Sequence, residues 1–214
     1  MPKANTLFYI VAGIMLVCGA AVADDSAATA KSAVSVVPAH STSTHSSAQE
    51  IATHIKEYMS KAEAGDPDAQ FILGMAYTQG LGVPADAAKA GEWMQKAAEG
   101  YRKPIYAKNG DALYKLGSIY ALGIGTPKDM KQATFWWEKA AEQGSVHGQI
   151  VTATIYSGGA KRDYVTADKW WRAAEMSGDS NAGKMRKALE KIMTPADIAK
   201  AQAQAEAWKA AHPH

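Results

Sequence analysis

The sequence predicts an all-α fold: a right-handed solenoid of stacked antiparallel helical hairpins. Three observations predict it. Two stretches of the chain are nearly identical in pattern and a third is a looser copy. Within each copy the apolar residues recur at helical spacing. Glycine pairs and an aspartate separate two such helical stretches in every copy, so each copy is a hairpin that cannot cover its own apolar face and must stack on a neighbour.

The composition is that of an ordinary soluble domain. Of 214 residues 47% are hydrophobic and 21% charged, with 23 basic and 21 acidic side chains and a formal net charge of +2. That small cationic excess argues against a nucleic-acid binder, which must neutralise many phosphates. A single cysteine, Cys18, excludes a disulfide scaffold or a cysteine-based zinc module.

Residues 1–23 read as a signal peptide. Lys3 supplies the positive charge, Leu7 to Val17 is an uncharged apolar run, and Ala21-Val22-Ala23 is a small-x-small site followed by Asp24-Asp25. The expectation is a cut after Ala23 and a periplasmic or secreted mature chain, in contact with a membrane only through the uncut signal. The apolar run is short for a permanent span. Lipidation at Cys18 is the alternative, opposed by the bulky Val17 before it. Residues 24–46 are rich in Ala, Ser and Thr, lack aromatics and show no sustained period, which predicts a disordered linker.

Residues 47–211 form the repeat domain. Ser47-Ala48-Gln49-Glu50 is a capping box that opens an N-terminal capping helix at 47–65, with Ile51, Ile55, Tyr58, Met59 and Ala62 on one face. The first repeat, 68–100, begins Ala69-x3-Leu73-Gly74-x2-Tyr77-x2-Gly80-x-Gly82 and continues through Asp86 to Ala90-x2-Trp93-x2-Lys96-Ala97-Ala98. The second, 111–144, begins Ala112-x3-Leu116-Gly117-x2-Tyr120-x2-Gly123-x-Gly125 and continues through Asp129 to Ala133-x2-Trp136-x2-Lys139-Ala140-Ala141. The third, 147–178, is degenerate: Thr152 stands for the Leu, Ala153 for the Gly, and Gly158-Gly159-Ala160 shortens the loop before Asp163 and Trp170. Residues 181–211 supply C-terminal capping helices, the last opened by Thr194-Pro195.

Each structural residue has a physical role in that pattern. Gly74 and Gly117 interrupt a helix at a cost of about 1 kcal/mol, which predicts a close approach of the neighbouring helix. Asp86, Asp129 and Asp163 are N-caps of the second helix of each hairpin. Gly80, Gly82, Gly123 and Gly125 end the first helix, and Gly100, Gly144 and Gly178 end the second. Trp93, Trp136 and Trp170 are read as core, with Trp137 and Trp171 one position further around the helix.

These residues resemble the Sel-1-like repeat, a relative of the tetratricopeptide repeat. The chain departs from that pattern in the interval between its two good copies, where Tyr101 to Gly110 forms an insertion marked by Pro104 and Asn109-Gly110. The resemblance implies a non-enzymatic, monomeric scaffold that binds a protein or peptide. Family geometry places the first helix of each hairpin on the concave face, so Phe71, Met75 and Thr78, then Tyr114, Ser118 and Ala121, then Ile150, Thr154 and Ser157 are candidate partner-binding residues. Phe71 and Tyr114 have a second reading, as packing between neighbouring helices. The inserted loop, with Tyr101, Arg102, Lys103 and Tyr106, is the other candidate surface. No metal, cofactor or catalytic residue is expected: His54 and His147 stand alone, and the nucleophile and phosphate-loop motifs are missing. Two alternatives accompany the scaffold reading. One is an envelope glycan-associated factor. The other is a β-lactam-binding or hydrolysing enzyme, which the lack of paired cysteines and of Ser-x-x-Lys in the repeat domain opposes.

Overall fold

Why the chain folds as hairpins is visible at each turn. A computed structural model describes residues 44–158 and 162–212, with side chains of the first helix described from residue 53. Residues 1–43, on which the signal-peptide expectation and most of the linker expectation fall, residues 159–161 and the final two residues lie outside the described residues. The described helices are α1 (Thr44–Glu63), α2 (Pro67–Gln79), α3 (Ala87–Tyr101), α4 (Gly110–Leu122), α5 (Met130–Glu142), α6 (Val146–Gly158), α7 (Tyr164–Met176), α8 (Ser180–Glu190) and α9 (Pro195–Ala211). A single turn of 3-10 helix, Pro104–Tyr106, follows α3, and no strand occurs among the described residues. The linker expectation was three residues too long, since α1 already begins at Thr44.

The chain forms two compact units, one running to Gly100 and including Leu122–Lys128, the other made of Tyr101–Ala121 and the chain from Asp129. In the first unit α1 packs on α2 through Ile55, Ala62, Ala69, Leu73 and Ala76. Asp66 caps α2, its carboxylate accepting from the Asp68 and Ala69 amides at 2.8 and 3.3 Å. The buried Gln70 donates its side-chain amide to the Ala62 carbonyl at 3.0 Å, so its burial leaves that donor satisfied. Gly80 ends α2 at φ 70°, a left-handed conformation that an L side chain resists. Close approach explains the glycine within α2: a Cβ on Gly74 would stand 2.7 Å from the Met94 side chain.

In the second unit α4, α5, α6 and α7 repeat the scheme. A Cβ on Gly117 would lie 2.7 Å from the Trp137 ring, and one on Gly148 would lie 2.7 Å from the Ala140 Cβ. Asp129 caps α5 and Asp163 caps α7 through their side chains, as Asp86 caps α3. These aspartates do a second job that spacing did not reveal. The backbone N–H of Asp86, Asp129 and Asp163 donates to the carbonyl of Tyr77, Tyr120 and Tyr156, at 2.9, 2.9 and 3.0 Å. One residue thus ties the end of the first helix to the start of the second in every hairpin. Asn109 is more than a loop marker, because its side chain accepts from the Ala112 amide and caps α4.

The C-terminal helices close the second unit. Trp208 of α9 meets Trp170 of α7 edge-to-face at 5.7 Å. A chain of charges links α7 to α8: buried Asp168 holds Arg172, Arg172 and Arg186 share Glu190, and Arg186 also holds Glu175 at 2.7 Å. Burial pushes the Asp168 carboxyl up, against the downward pull of its Arg172 partner.

Three expectations need correction. Gly100 does not end α3, which runs on to Tyr101; it lies inside the helix, where a Cβ would stand 2.7 Å from Pro67. Trp136 is only half-buried, whereas Trp137 is fully enclosed with its indole N–H donating to the Tyr114 carbonyl at 3.2 Å. Trp93 is likewise half-buried while its neighbour Met94 is enclosed. The second position of each pair lies four residues after the core alanines Ala90 and Ala133, on the same helical face. Trp170, by contrast, is buried as expected, because Trp208 covers it.

Candidate functional site

The first-helix residues do not form an open surface. Phe71 and Met75 are each 1% exposed, Tyr114 is buried, and Ser118 is fully enclosed with its hydroxyl donating to the Tyr114 carbonyl at 2.9 Å. Ala121 is buried as well. The physical reason is that α2 and α4 are apolar around most of their circumference, and such helices are covered on more than one side. Packing, the second reading of Phe71 and Tyr114, describes them; Tyr114 also stacks on His147 at 5.3 Å. Thr78 is exposed, and Ile150, Thr154 and Ser157 are half-buried. The hydroxyls of Thr78, Thr154 and Ser157 are turned to carbonyls of their own helices, at 2.7, 2.8 and 2.9 Å.

The inserted segment is more ordered than a connecting loop. Tyr101 belongs to α3, is buried, and packs edge-on against Tyr106 at 5.9 Å. Arg102 is engaged too: its guanidinium donates to the Tyr120 hydroxyl and lies 5.5 Å from that ring. Lys103 and Ile105 project outward, Ile105 being 81% exposed. The two cations and two tyrosines therefore do not form one surface.

A groove that the sequence did not indicate lies in the second unit. It has a volume of about 470 Å³ and is lined from α5 by Phe135, Glu138, Lys139 and Glu142, from α6 by Tyr156, from α7 by Thr166, Lys169 and Trp170, and from α9 by Gln204. Phe135 is 45% exposed, a large apolar ring left out of the core. It meets Trp136 edge-to-face at 5.0 Å. The Lys139 ammonium rides over both rings, 4.5 Å from Phe135 and 5.3 Å from Trp136.

Two pairs of polar side chains across the groove hold one another. The Tyr156 hydroxyl donates to Glu138 at 2.6 Å, and this bond together with burial pushes the Tyr156 phenol up to about 12. Lys169 pairs with Glu142 at 3.1 Å and lies 3.9 Å above the Trp170 ring. Such a cleft is suited to recognition: one exposed aromatic platform, a cation beside it and fixed polar walls. Among the described residues no cluster of three His, Cys, Asp or Glu could hold a metal. None of the described helices is long and apolar enough to cross a membrane.

The Sel1 repeat pattern matches the chain at residues 67–100, 110–145 and 148–179, one match to each of the hairpins α2–α3, α4–α5 and α6–α7. The chain belongs to the Sel1 repeat family. Its all-α solenoid of antiparallel hairpins is the architecture of that family. Similar solved structures include two Sel1-type proteins. One is a protective antigen of uropathogenic Escherichia coli with an SLR fold, at 27% identity and a TM-score of 0.48, covering 73% of this chain and 40% of its own. The chain thus spans well under half the length of that antigen. The other is a Sel1 repeat protein of Oxalobacter formigenes, at 31% identity and a TM-score of 0.48, covering 63% of this chain and 98% of its own. No curated protein matches the sequence. Sel1 repeat proteins generally act in protein–protein interaction.

Proposed function

We propose that this protein is an exported, monomeric, non-catalytic scaffold that binds a segment of another protein in the groove between α5, α6 and α7. The observation that carries the reading is Phe135. A ring 45% exposed at the rim of a concavity gains more from burial against a partner than the same ring on a flat surface. The generally protein-binding character of Sel1 repeats supports the class of partner. The burial of Phe71, Met75, Tyr114 and Ser118 argues against the first-helix face as the docking surface. Export is supported by Lys3, the Leu7–Val17 run and Ala21-Val22-Ala23.

A photo-crosslinking amino acid placed at Phe135, and separately at Lys103, tests the site in cells producing the full chain. The expected result is a discrete protein adduct from position 135 and none from position 103. An adduct from 103 alone would move the binding surface to the inserted segment. N-terminal sequencing of the mature chain tests export: Asp24 is the expected first residue, and an intact Met1 terminus on intracellular protein would refute it.

A further inference from the structure

We propose that Asn109 is a site of spontaneous covalent modification in the folded chain. Its side-chain amide closes on the backbone nitrogen of Gly110, and the resulting ring opens to aspartate or isoaspartate. This chemistry needs an electrophilic side-chain carbonyl, a following backbone nitrogen free to attack it, and water. All three meet where α4 begins.

The carbonyl is that of the cap. Asn109 is exposed, and its Oδ1 accepts from the Ala112 amide at 3.0 Å. That bond draws electron density from Cγ, and a side chain reaching forward to the third amide on passes beside the first. The nucleophile is the Gly110 nitrogen. Its N–H is one of the orphan donors of a helix start, and it has no acceptor among the described residues. Gly110 brings no side chain to crowd the approach. Packing also holds this position to glycine: a Cβ there would stand 2.8 Å from the Ser145 nitrogen and 3.0 Å from the Gln143 carbonyl oxygen. Water arrives through a cleft of about 470 Å³ that Asn109 and Gly110 line beside Ser145.

Asn181, the other asparagine among the described residues, supplies the contrast. It is also exposed, and it lies in the first turn of α8. The amide that follows it is occupied, because the Ala182 N–H donates to the Asp179 carboxylate at 2.7 Å. Ala182 also carries a Cβ and is buried.

The step balances with water as its one co-reactant. The Gly110 nitrogen gives its proton to solvent and bonds to Asn109 Cγ. The bond from Cγ to Nδ2 breaks, and the amide nitrogen takes up a proton and leaves as ammonia. Water then opens the cyclic imide. Opening at Cγ gives aspartate, which keeps the cap acceptor and adds a negative charge that the N-terminus of α4 favours. Opening at the backbone carbonyl gives isoaspartate, whose main chain runs through Cγ and is one methylene longer. That product cannot keep both the cap and the close seat of Gly110 on Ser145.

The test holds the full chain at mildly alkaline pH in heavy-oxygen water, folded in one sample and unfolded in urea in another. Both are then digested in ordinary water and mapped by mass spectrometry, so that heavy oxygen marks conversion that preceded the digest. Folding should slow conversion of Asn109 by less than tenfold, and that of Asn181 by more. A retardation of Asn109 by more than tenfold, or one as large as that of Asn181, would overturn the proposal. Asn109→Ser keeps a capping oxygen and removes the amide. It should take up no label at position 109 and should keep its melting midpoint on ageing. Aged wild type should melt lower in proportion to its isoaspartate, read by isoaspartyl methyltransferase labelling. Equal losses in the two proteins would refute the link between the modification and the cap.

Discussion

Adding one methyl group at Gly117 tests the central packing idea of the hairpin. A Cβ there would stand 2.7 Å from Trp137 Cδ1, 2.8 Å from its Nε1 and 3.0 Å from the Ala133 carbonyl oxygen. Trp137 has no room to retreat, being fully buried, and its indole N–H is bonded to the Tyr114 carbonyl. Gly117→Ala improves helix propensity by about 1 kcal/mol. Against that, overpacking costs about 1–3 kcal/mol. Displacing the indole so that its N–H loses its acceptor costs about 1–3 kcal/mol more. The net expectation is a loss of roughly 1–5 kcal/mol, centred near 3. At about 2–4 °C per kcal/mol for a chain of this size, the midpoint should fall by about 6–12 °C.

The matched control is Gly91→Ala, also inside a helix. Its Cβ would meet Gly125 at 3.5 and 3.6 Å, ordinary contact, so the propensity gain should stand alone and stabilise by up to about 1 kcal/mol. Repeat arrays can unfold in parts, so near-ultraviolet circular dichroism should be followed beside the far-ultraviolet signal. If Gly117→Ala melts at or above wild type, the close approach of α4 and α5 is not what requires glycine, and the reasoning fails.

Other expectations follow from burial and charge. Trp137→Ala should cost about 3–5 kcal/mol in urea denaturation, and Trp136→Ala roughly 1–2 because its ring is only half enclosed; equal losses would contradict the assignment of the core position. The Tyr156 phenol should ionise at about 12 in a spectroscopic titration, and Glu138→Gln should bring it back toward 10, the ordinary value. Because that folded value is raised, its contribution to stability is present below pH 10 and is lost as the pH climbs through about 12. Glu175 behaves oppositely: its hydrogen bond from Arg186 holds the carboxyl below 4.5, so the stabilisation is present above that pH and lost as the pH falls through the lowered folded value. Arg186→Met should therefore be less stable than wild type at pH 7, and the gap should narrow on acidification. A gap that stays constant with pH would show that Glu175 is not the linked group.

The repeat itself was legible because its signals are local. Asp86, Asp129 and Asp163 cap the helices that follow them, Gly80 and Gly123 leave their helices in the left-handed region, and Gly74 and Gly117 lie under bulky side chains, as their placement within apolar helices implied. Each of these depends on a few neighbouring residues or on one facing helix of the same hairpin. Which aromatic ring is buried is a different kind of question. Trp136 and Trp170 occupy the same repeat position, yet Trp170 is enclosed by Trp208 and Trp136 is left beside the exposed Phe135. Periodicity assigns a side chain to a face of its helix but not to the next element that covers the face. The same limit explains Phe71 and Ser118, which helical spacing set apart from the main stripe and which packing enclosed. It explains the groove as well, since Phe135, Tyr156, Lys169 and Gln204 come from four helices and share no motif. The sequence by itself determined the hairpin, its caps and its glycines, because those are set by short-range sterics and hydrogen bonding. Only the tertiary structure decided which surfaces remain open, because exposure is a property of what lies opposite.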